Sequence, residues 1–173
     1  FAIFAKPVKR SVFIVGKYLG LCLTLLVNVL IMGFGVTLAL VYVGGTSLVA
    51  SIWPAIYLIF LELAIITAVA IVFSSFSSPS LSALLTFFVF VIGHLSSSLR
   101  DLGQAMGSAF ARFVLDAIFF MMPNLSLFSF RTEAANGITP NNEMIFGGTA
   151  YAVVYILILI TITIVIFSRR NFK

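Results

Sequence analysis

The chain has 173 residues, of which 62% are hydrophobic and 9% charged, and its mean hydropathy is +1.23. Soluble globular domains contain about 45–50% apolar and about 25% charged residues, so this composition excludes a soluble globular protein. The net charge of +5 is better explained by membrane topology than by nucleic-acid binding, because the basic residues are spread through very apolar sequence. The single cysteine, Cys22, excludes a disulfide within the chain.

Four apolar segments are predicted to be membrane-spanning helices, because a helix that crosses the hydrocarbon core needs about 20 mostly apolar residues. They lie at residues 19–43, 52–73, 81–97 and 147–167. Gly44 and Gly45 separate the first two segments, and a serine-rich stretch at residues 74–80 separates the second from the third. The whole chain is therefore predicted to be one all-α domain, a polytopic helical membrane protein.

The part between the third and fourth spans is predicted to lie outside the hydrocarbon core. In residues 99–122 a polar residue recurs every four positions opposite an apolar face, at Arg100, Gln104, Ser108, Arg112 and Asp116. This period is typical of an amphipathic helix, and we expect it to lie in the outer interface or to re-enter the membrane rather than span it. Residues 125–143 form the only extended polar stretch and are predicted to be an outer loop.

The basic residues predict the orientation of the chain, because lysine and arginine near helix ends collect on the cytoplasmic side. Seven of the ten precede the first span or follow the last: Lys6, Lys9, Arg10, Lys17, Arg169, Arg170 and Lys173. The other three, Arg100, Arg112 and Arg131, would lie outside. Both ends of the segment are therefore predicted to face the cytoplasm.

The sequence lacks the residue patterns of a catalytic or metal-binding protein. His94 is the only histidine and Cys22 the only cysteine, so a zinc site built from such ligands is excluded. Lys17 follows a glycine as in a phosphate loop, but Tyr18 stands where that motif needs serine or threonine. We therefore expect no catalytic residue, no cofactor and no metal in this chain.

Three polar residues inside the predicted spans are candidates for a functional or structural role. Glu62 lies near the middle of the second span, where a charged side chain costs about 2.5–3.5 kcal/mol and needs a partner or a water path. It either takes part in transport or holds two helices together through a hydrogen bond, for which Asn28 in the first span is one possible partner. His94, near the outer end of the third span, is read as a hydrogen-bonded interfacial residue or as part of a proton relay.

The order and spacing of several short segments resemble the type-two ATP-binding-cassette permeases. Near the N-terminus the resemblance rests on Lys6-Pro7-Val8-Lys9-Arg10, Phe13-Ile14 and Gly16-Lys17-Tyr18-Leu19-Gly20. It continues with Phe73-Ser74-Ser75-Phe76, residues 80–86, Ile92-Gly93-His94-Leu95, residues 123–128 and residues 166–170. The nearest branch is that of permeases linked to multicopper-enzyme maturation and gliding-type export.

The resemblance implies a permease subunit, most simply of an exporter, that transmits the work of a separate ATP-binding subunit and catalyses nothing itself. Such permeases have six spanning helices and act as dimers, so a second permease copy or a homologous permease is implied, as is contact with membrane lipid. The four spans here would be the third to the sixth. Residues 1–17 would be the cytoplasmic coupling segment, with Lys6, Pro7, Lys9 and Arg10 meeting the ATPase.

A truncated N-terminus fits the first residues of the sequence. The chain does not begin with methionine, and Phe1 to Ala5 run directly into the basic cluster, which is not the order of a signal peptide. We therefore expect a longer protein whose first two helices are missing here.

Two other function classes remain open from the residues alone. A proton-coupled secondary transporter would use Glu62, with His94 as a second group, and would need no ATPase. A non-transporting membrane anchor subunit would tolerate the loss of the Glu62 charge. The apolar composition of the spans fits lipids, peptides, drugs and glycans alike, so the sequence does not identify a substrate.

Overall fold

A computed structural model describes residues 10–95 and 122–169, together with Ser98, Phe113 and Ala117. The helices are α1 (Arg10–Val43), α2 (Val49–Ser74), α3 (Pro79–His94), α4 (Arg131–Ala135) and α5 (Asn142–Arg169), with 3-10 turns at Thr46–Leu48 and Leu125–Phe128. No strand occurs among the described residues, so the predicted all-α fold is confirmed. Most of the predicted amphipathic helix at 99–122, and the coupling residues Lys6, Pro7 and Lys9, lie outside the described residues.

In the part of the chain that the structure describes, three helices are long and apolar enough to span a membrane: Ser11–Val43, Thr46–Ser74 and Asn142–Ser168. The chain therefore has the helices of a membrane protein. The third predicted span corresponds to α3, whose 16 residues are about 24 Å long at 1.5 Å per residue, less than the hydrocarbon thickness of about 30 Å. The structure thus supports three spans, and the fourth stays a prediction.

α2 is the centre of the fold and contacts every other element named above. One cluster of buried side chains joins α2 to α5 and to the 3-10 turn at Leu125–Phe128, with Leu58, Ile65 and Phe128 at its centre. A second cluster joins α1, α2 and α5 around Tyr18 and Ile71. α1, in contrast, exposes large apolar side chains along its length, as expected of a helix that faces lipid or another subunit.

The turn between α1 and α2 is set by its glycine pair. Gly44 has a φ of +84°, which side chains with a Cβ rarely adopt. Its N–H donates to Val41 O at 3.2 Å, and the N–H of Gly45 donates to Leu40 O at 2.8 Å. This is the Schellman pattern, which satisfies the last carbonyls of α1 and reverses the chain toward α2.

Residues 122–141, here called the connecting segment, pack against the helical bundle through a few buried side chains. The sequence predicts an outer loop at 125–143, whereas the structure gives a 3-10 turn, α4 and the start of α5 there. Leu125 and Phe128 are fully buried and Ala134 almost so. The segment is polar on average because buried apolar residues alternate with exposed polar ones, so its mean composition hides its packing.

The number of spans predicts on which side of the membrane the C-terminus and the connecting segment lie. With the four predicted spans, a reporter fused after Lys173 should be active only in the cytoplasm, and one inserted near Asn136 only outside. Paired phosphatase and fluorescent-protein fusions at both positions measure this. A cytoplasmic reporter at Asn136, or an external one at Lys173, would contradict the four-span topology.

Candidate functional site

Glu62 is the buried acidic residue around which the candidate site is built. It lies on the inner face of α2 in the series Leu58, Glu62, Ile65 and Val69, whose spacing of three and four residues places all four on one side of the helix. Its side chain is 1% exposed, as buried as the apolar side chains above and below it. A carboxylate in such a position requires partners, because burial removes its hydration.

Arg131, at the start of α4, supplies the main partner of Glu62. Its Nη2 donates to both carboxylate oxygens, at 3.1 Å to Oε2 and 3.3 Å to Oε1. The side chain of Arg131 is itself 52% exposed. The pair therefore connects the buried middle of α2 to the surface of the molecule, across 69 residues of sequence.

The position of Arg131 is fixed by the packing of α4 on α2. Ala134 is buried, and its carbonyl accepts a hydrogen bond of 2.9 Å from the hydroxyl of Ser51 near the start of α2. Phe130, just before α4, belongs to the main buried cluster. α4 is thus held beside the first half of α2, from which Arg131 reaches Glu62.

His94, the last residue of α3, is the second group near the Glu62 carboxylate. Its Nε2 lies 3.4 Å from Glu62 Oε1 but makes no hydrogen bond with the described residues. Its Nδ1 lies 3.3 Å from Phe90 O, and its ring centroid is 4.5 Å from that of Phe90. The side chains of Glu62, Arg131 and His94 therefore lie together between α2, α3 and α4.

Of the three polar residues that the sequence singled out within the spans, the structure brings two together and places the third elsewhere. Glu62 and His94 come together, whereas Asn28 is exposed and its Nδ2 donates to Thr24 O of its own helix at 2.9 Å. The contact between Asn28 and Glu62 considered from the sequence is therefore replaced by the one with Arg131. Of the proposed coupling residues, Arg10 begins α1.

Sequence reasoning missed Arg131 because it stands in a polar stretch interpreted as an outer loop. The signal that was present is Glu62 itself, since a buried carboxylate requires a cation and few basic residues lie between the predicted spans. Nothing in the sequence distinguishes Arg131 from Arg100 and Arg112 as that partner.

The described residues hold no group of three or more His, Cys, Asp or Glu side chains that could bind a metal ion. No family model matches the chain, and neither a curated protein nor a solved structure matches it. The arrangement of Glu62, Arg131 and His94 is suited to holding helices together through charge, or to moving a proton between His94 and Glu62.

Proposed function

We propose that the chain is part of the permease subunit of an ATP-binding-cassette exporter in a prokaryotic cytoplasmic membrane. In this proposal its four spans correspond to the third to sixth helices of such permeases. A separate ATP-binding subunit supplies the work, and a second permease completes the transport path. The ordered sequence motifs and the three long apolar helices support it.

The observation that carries the proposal is the ion pair between Glu62 and Arg131. A charged pair in the middle of an apolar helix is costly to bury, and here it joins α2 to the start of α4. The pair ties α2, which contacts all the other named elements, to the connecting segment. Movement of α2 driven by an ATPase would therefore move this segment with it, as a two-state permease requires.

Docking of the ATPase tests the proposal directly. Reversing the charges of Lys9 and Arg10 to glutamate should reduce the ATP-binding polypeptide that co-purifies with the tagged protein, because it removes the positive charge of the proposed docking segment. Photolabelling of the purified complex with azido-ATP measures the partner. A charge-preserving variant, Lys9→Arg with Arg10→Lys, is the control, and both variants must insert in membranes. Equal labelling in the two variants would contradict docking at this segment.

A proton-coupled secondary transporter is the second candidate, favoured by the contact between His94 and Glu62. His94 is 24% exposed and its Nε2 lies 3.4 Å from the buried carboxylate, so the two form a short path from the surface to Glu62. This candidate needs no ATPase.

The variant Glu62→Gln separates the two candidates. In an ATP-driven permease it should leave complex assembly and ATP hydrolysis intact, because the amide still accepts a hydrogen bond from Arg131. In a proton-coupled transporter it should abolish proton uptake into proteoliposomes loaded with a pH-sensitive dye. Glu133→Gln, at an exposed position of α4, is the matched control. Proton uptake that needs Glu62 but no ATP would replace the proposed function by the second candidate.

A further inference from the structure

An apolar cleft of about 350 Å³ lies between α1 and α2, beside α4. Its walls are apolar side chains of α1 and α2 together with Ala134 and Ala135. Arg131 is the one charged residue among the described residues of this lining. The volume is at the lower end of the range of about 300–1,000 Å³ found for small-molecule sites. The cleft therefore combines an apolar wall with a single cation.

The shape of the cleft suits one extended apolar chain. On α2 the lining runs from Ile52 to Leu63, a rise of about 16 Å at 1.5 Å per residue. On α1 it includes Val29, Met32 and Val36, which lie one turn apart along one face. At Gly33 the two helices approach closely, since a Cβ there would lie 3.0 Å from Ile56 Cδ1. Gly33 and Ile56 both belong to the lining, so the two helices meet within the cleft.

Among the described residues, no partner uses the remaining N–H donors of Arg131. A guanidinium group carries five N–H donors, and the bonds to Glu62 use only Nη2. Nη1 and Nε donate to none of the described residues, and half of the side chain is exposed. One Arg131 can therefore hold Glu62 and an anion at the same time, which a lysine ammonium does less well because it lacks the planar fork.

The position of Arg131 beside the middle of α2 restricts which kind of anion can reach it. Its partner Glu62 lies 13 residues from the first and 12 from the last residue of α2, about 18–20 Å from either end of the helix. Phospholipid headgroups lie outside a hydrocarbon core about 30 Å thick and so would not reach this level. A small carboxylate head on a single chain would reach it.

We propose that this cleft binds a single-chain carboxylate amphiphile of the fatty-acid type. The carboxylate accepts hydrogen bonds from Arg131, and the chain lies against the apolar walls formed by α1 and α2. The binding needs neither ATP nor a transport step, so it is independent of the proposed permease function.

The test uses the purified full protein in phosphatidylcholine nanodiscs, with a diazirine-bearing palmitic acid as the probe. We expect saturable photolabelling of peptides that contain Val29–Val36 or Ile52–Leu63. The methyl ester of the same probe should label about tenfold less, as expected for the loss of hydrogen bonds to a charged group. Unlabelled palmitate should compete, and phosphatidylglycerol should not.

Two pairs of variants locate the binding. Val36→Trp should block labelling by filling the cleft, whereas Leu38→Trp, at an exposed position of α1 outside the lining, should not. The double variant Glu62→Gln with Arg131→Gln should bring the acid and ester to equal labelling, since no charge remains. Should this double variant fail to fold, the comparison of Val36→Trp with Leu38→Trp still shows whether the probe binds in the cleft.

Three results would overturn the proposal. The first is equal labelling by acid and ester in the unchanged protein. The second is competition by phosphatidylglycerol as strong as that by palmitate, which would indicate a lipid-headgroup site. The third is labelling that Val36→Trp leaves unchanged, which would place the probe elsewhere on the protein.

Discussion

Replacing Arg131 with methionine should lower the free energy of unfolding by about 3–5 kcal/mol, because Glu62 would remain buried without its partner. The value should fall at the lower end of this range, since Arg131 is half exposed and His94 Nε2 still lies 3.4 Å from Glu62 Oε1. Trp53 is the only tryptophan and packs edge-on against Phe34 at 5.3 Å. Its fluorescence during an SDS titration in mixed micelles therefore measures unfolding of the contact between α1 and α2.

A double-mutant cycle distinguishes loss of the pair from loss of one side chain. Glu62→Leu combined with Arg131→Met should recover most of the stability, because an apolar pair replaces the charged pair without leaving an uncompensated charge. Lys17→Met, at an exposed position of α1, is the matched control and should have little effect. A double variant as unstable as Arg131→Met alone would show that the cost does not come from the unpaired Glu62.

Gly93→Ala should destabilise the protein by about 1–3 kcal/mol, the usual cost of forcing an extra methyl group into a packed site. A Cβ at Gly93 would lie 2.8 Å from Pro123 O and 2.9 Å from Leu125 Cγ and Cδ1. One of these neighbours is a backbone carbonyl, which cannot rotate away. The added methyl group would therefore push the connecting segment off α3, next to His94.

Gly35→Ala provides the control, measured by the same titration. Gly35 lies within α1, and a Cβ there meets nothing within 4 Å. Because alanine favours a helix over glycine by up to about 1 kcal/mol, this variant should be neutral or more stable. The two substitutions are chemically identical, so effects of the same sign and size would contradict the close approach at Gly93.

Much of the helical fold could be predicted from the sequence, because a long uncharged run has few alternatives in a membrane. The glycine pair after Val43 and the serine-rich stretch before Pro79 mark the ends of helices in the structure as well. Pro79 fits the first turn of α3 because an N–H at that position has no acceptor within the helix. These features are local, so short windows of sequence contain them.

The candidate site could be predicted only in part, because its contacts are not local. The sequence identified Glu62 and His94 separately, but their proximity depends on how α2 and α3 pack. Arg131 was hidden in a segment whose average polarity resembles a solvated loop. Arg131 lies beside Glu62 because Leu125 and Phe128, earlier in the same segment, are buried. Only the tertiary structure reveals that burial.

The separation of Glu62 and Arg131 along the chain has a consequence for synthesis of the protein. When Glu62 has just been polymerised, its carboxylate has no cation, and 69 more residues must be added before Arg131 exists. At about 5–20 residues per second this takes roughly 3–14 seconds. During that interval α2 must enter the bilayer on the strength of its apolar residues, against about 2.5–3.5 kcal/mol for a lone central charge. In a nascent chain stalled before Arg131, Glu62 of α2 would therefore have no cation as its partner. We expect membrane quality control to recognise the protein during this interval.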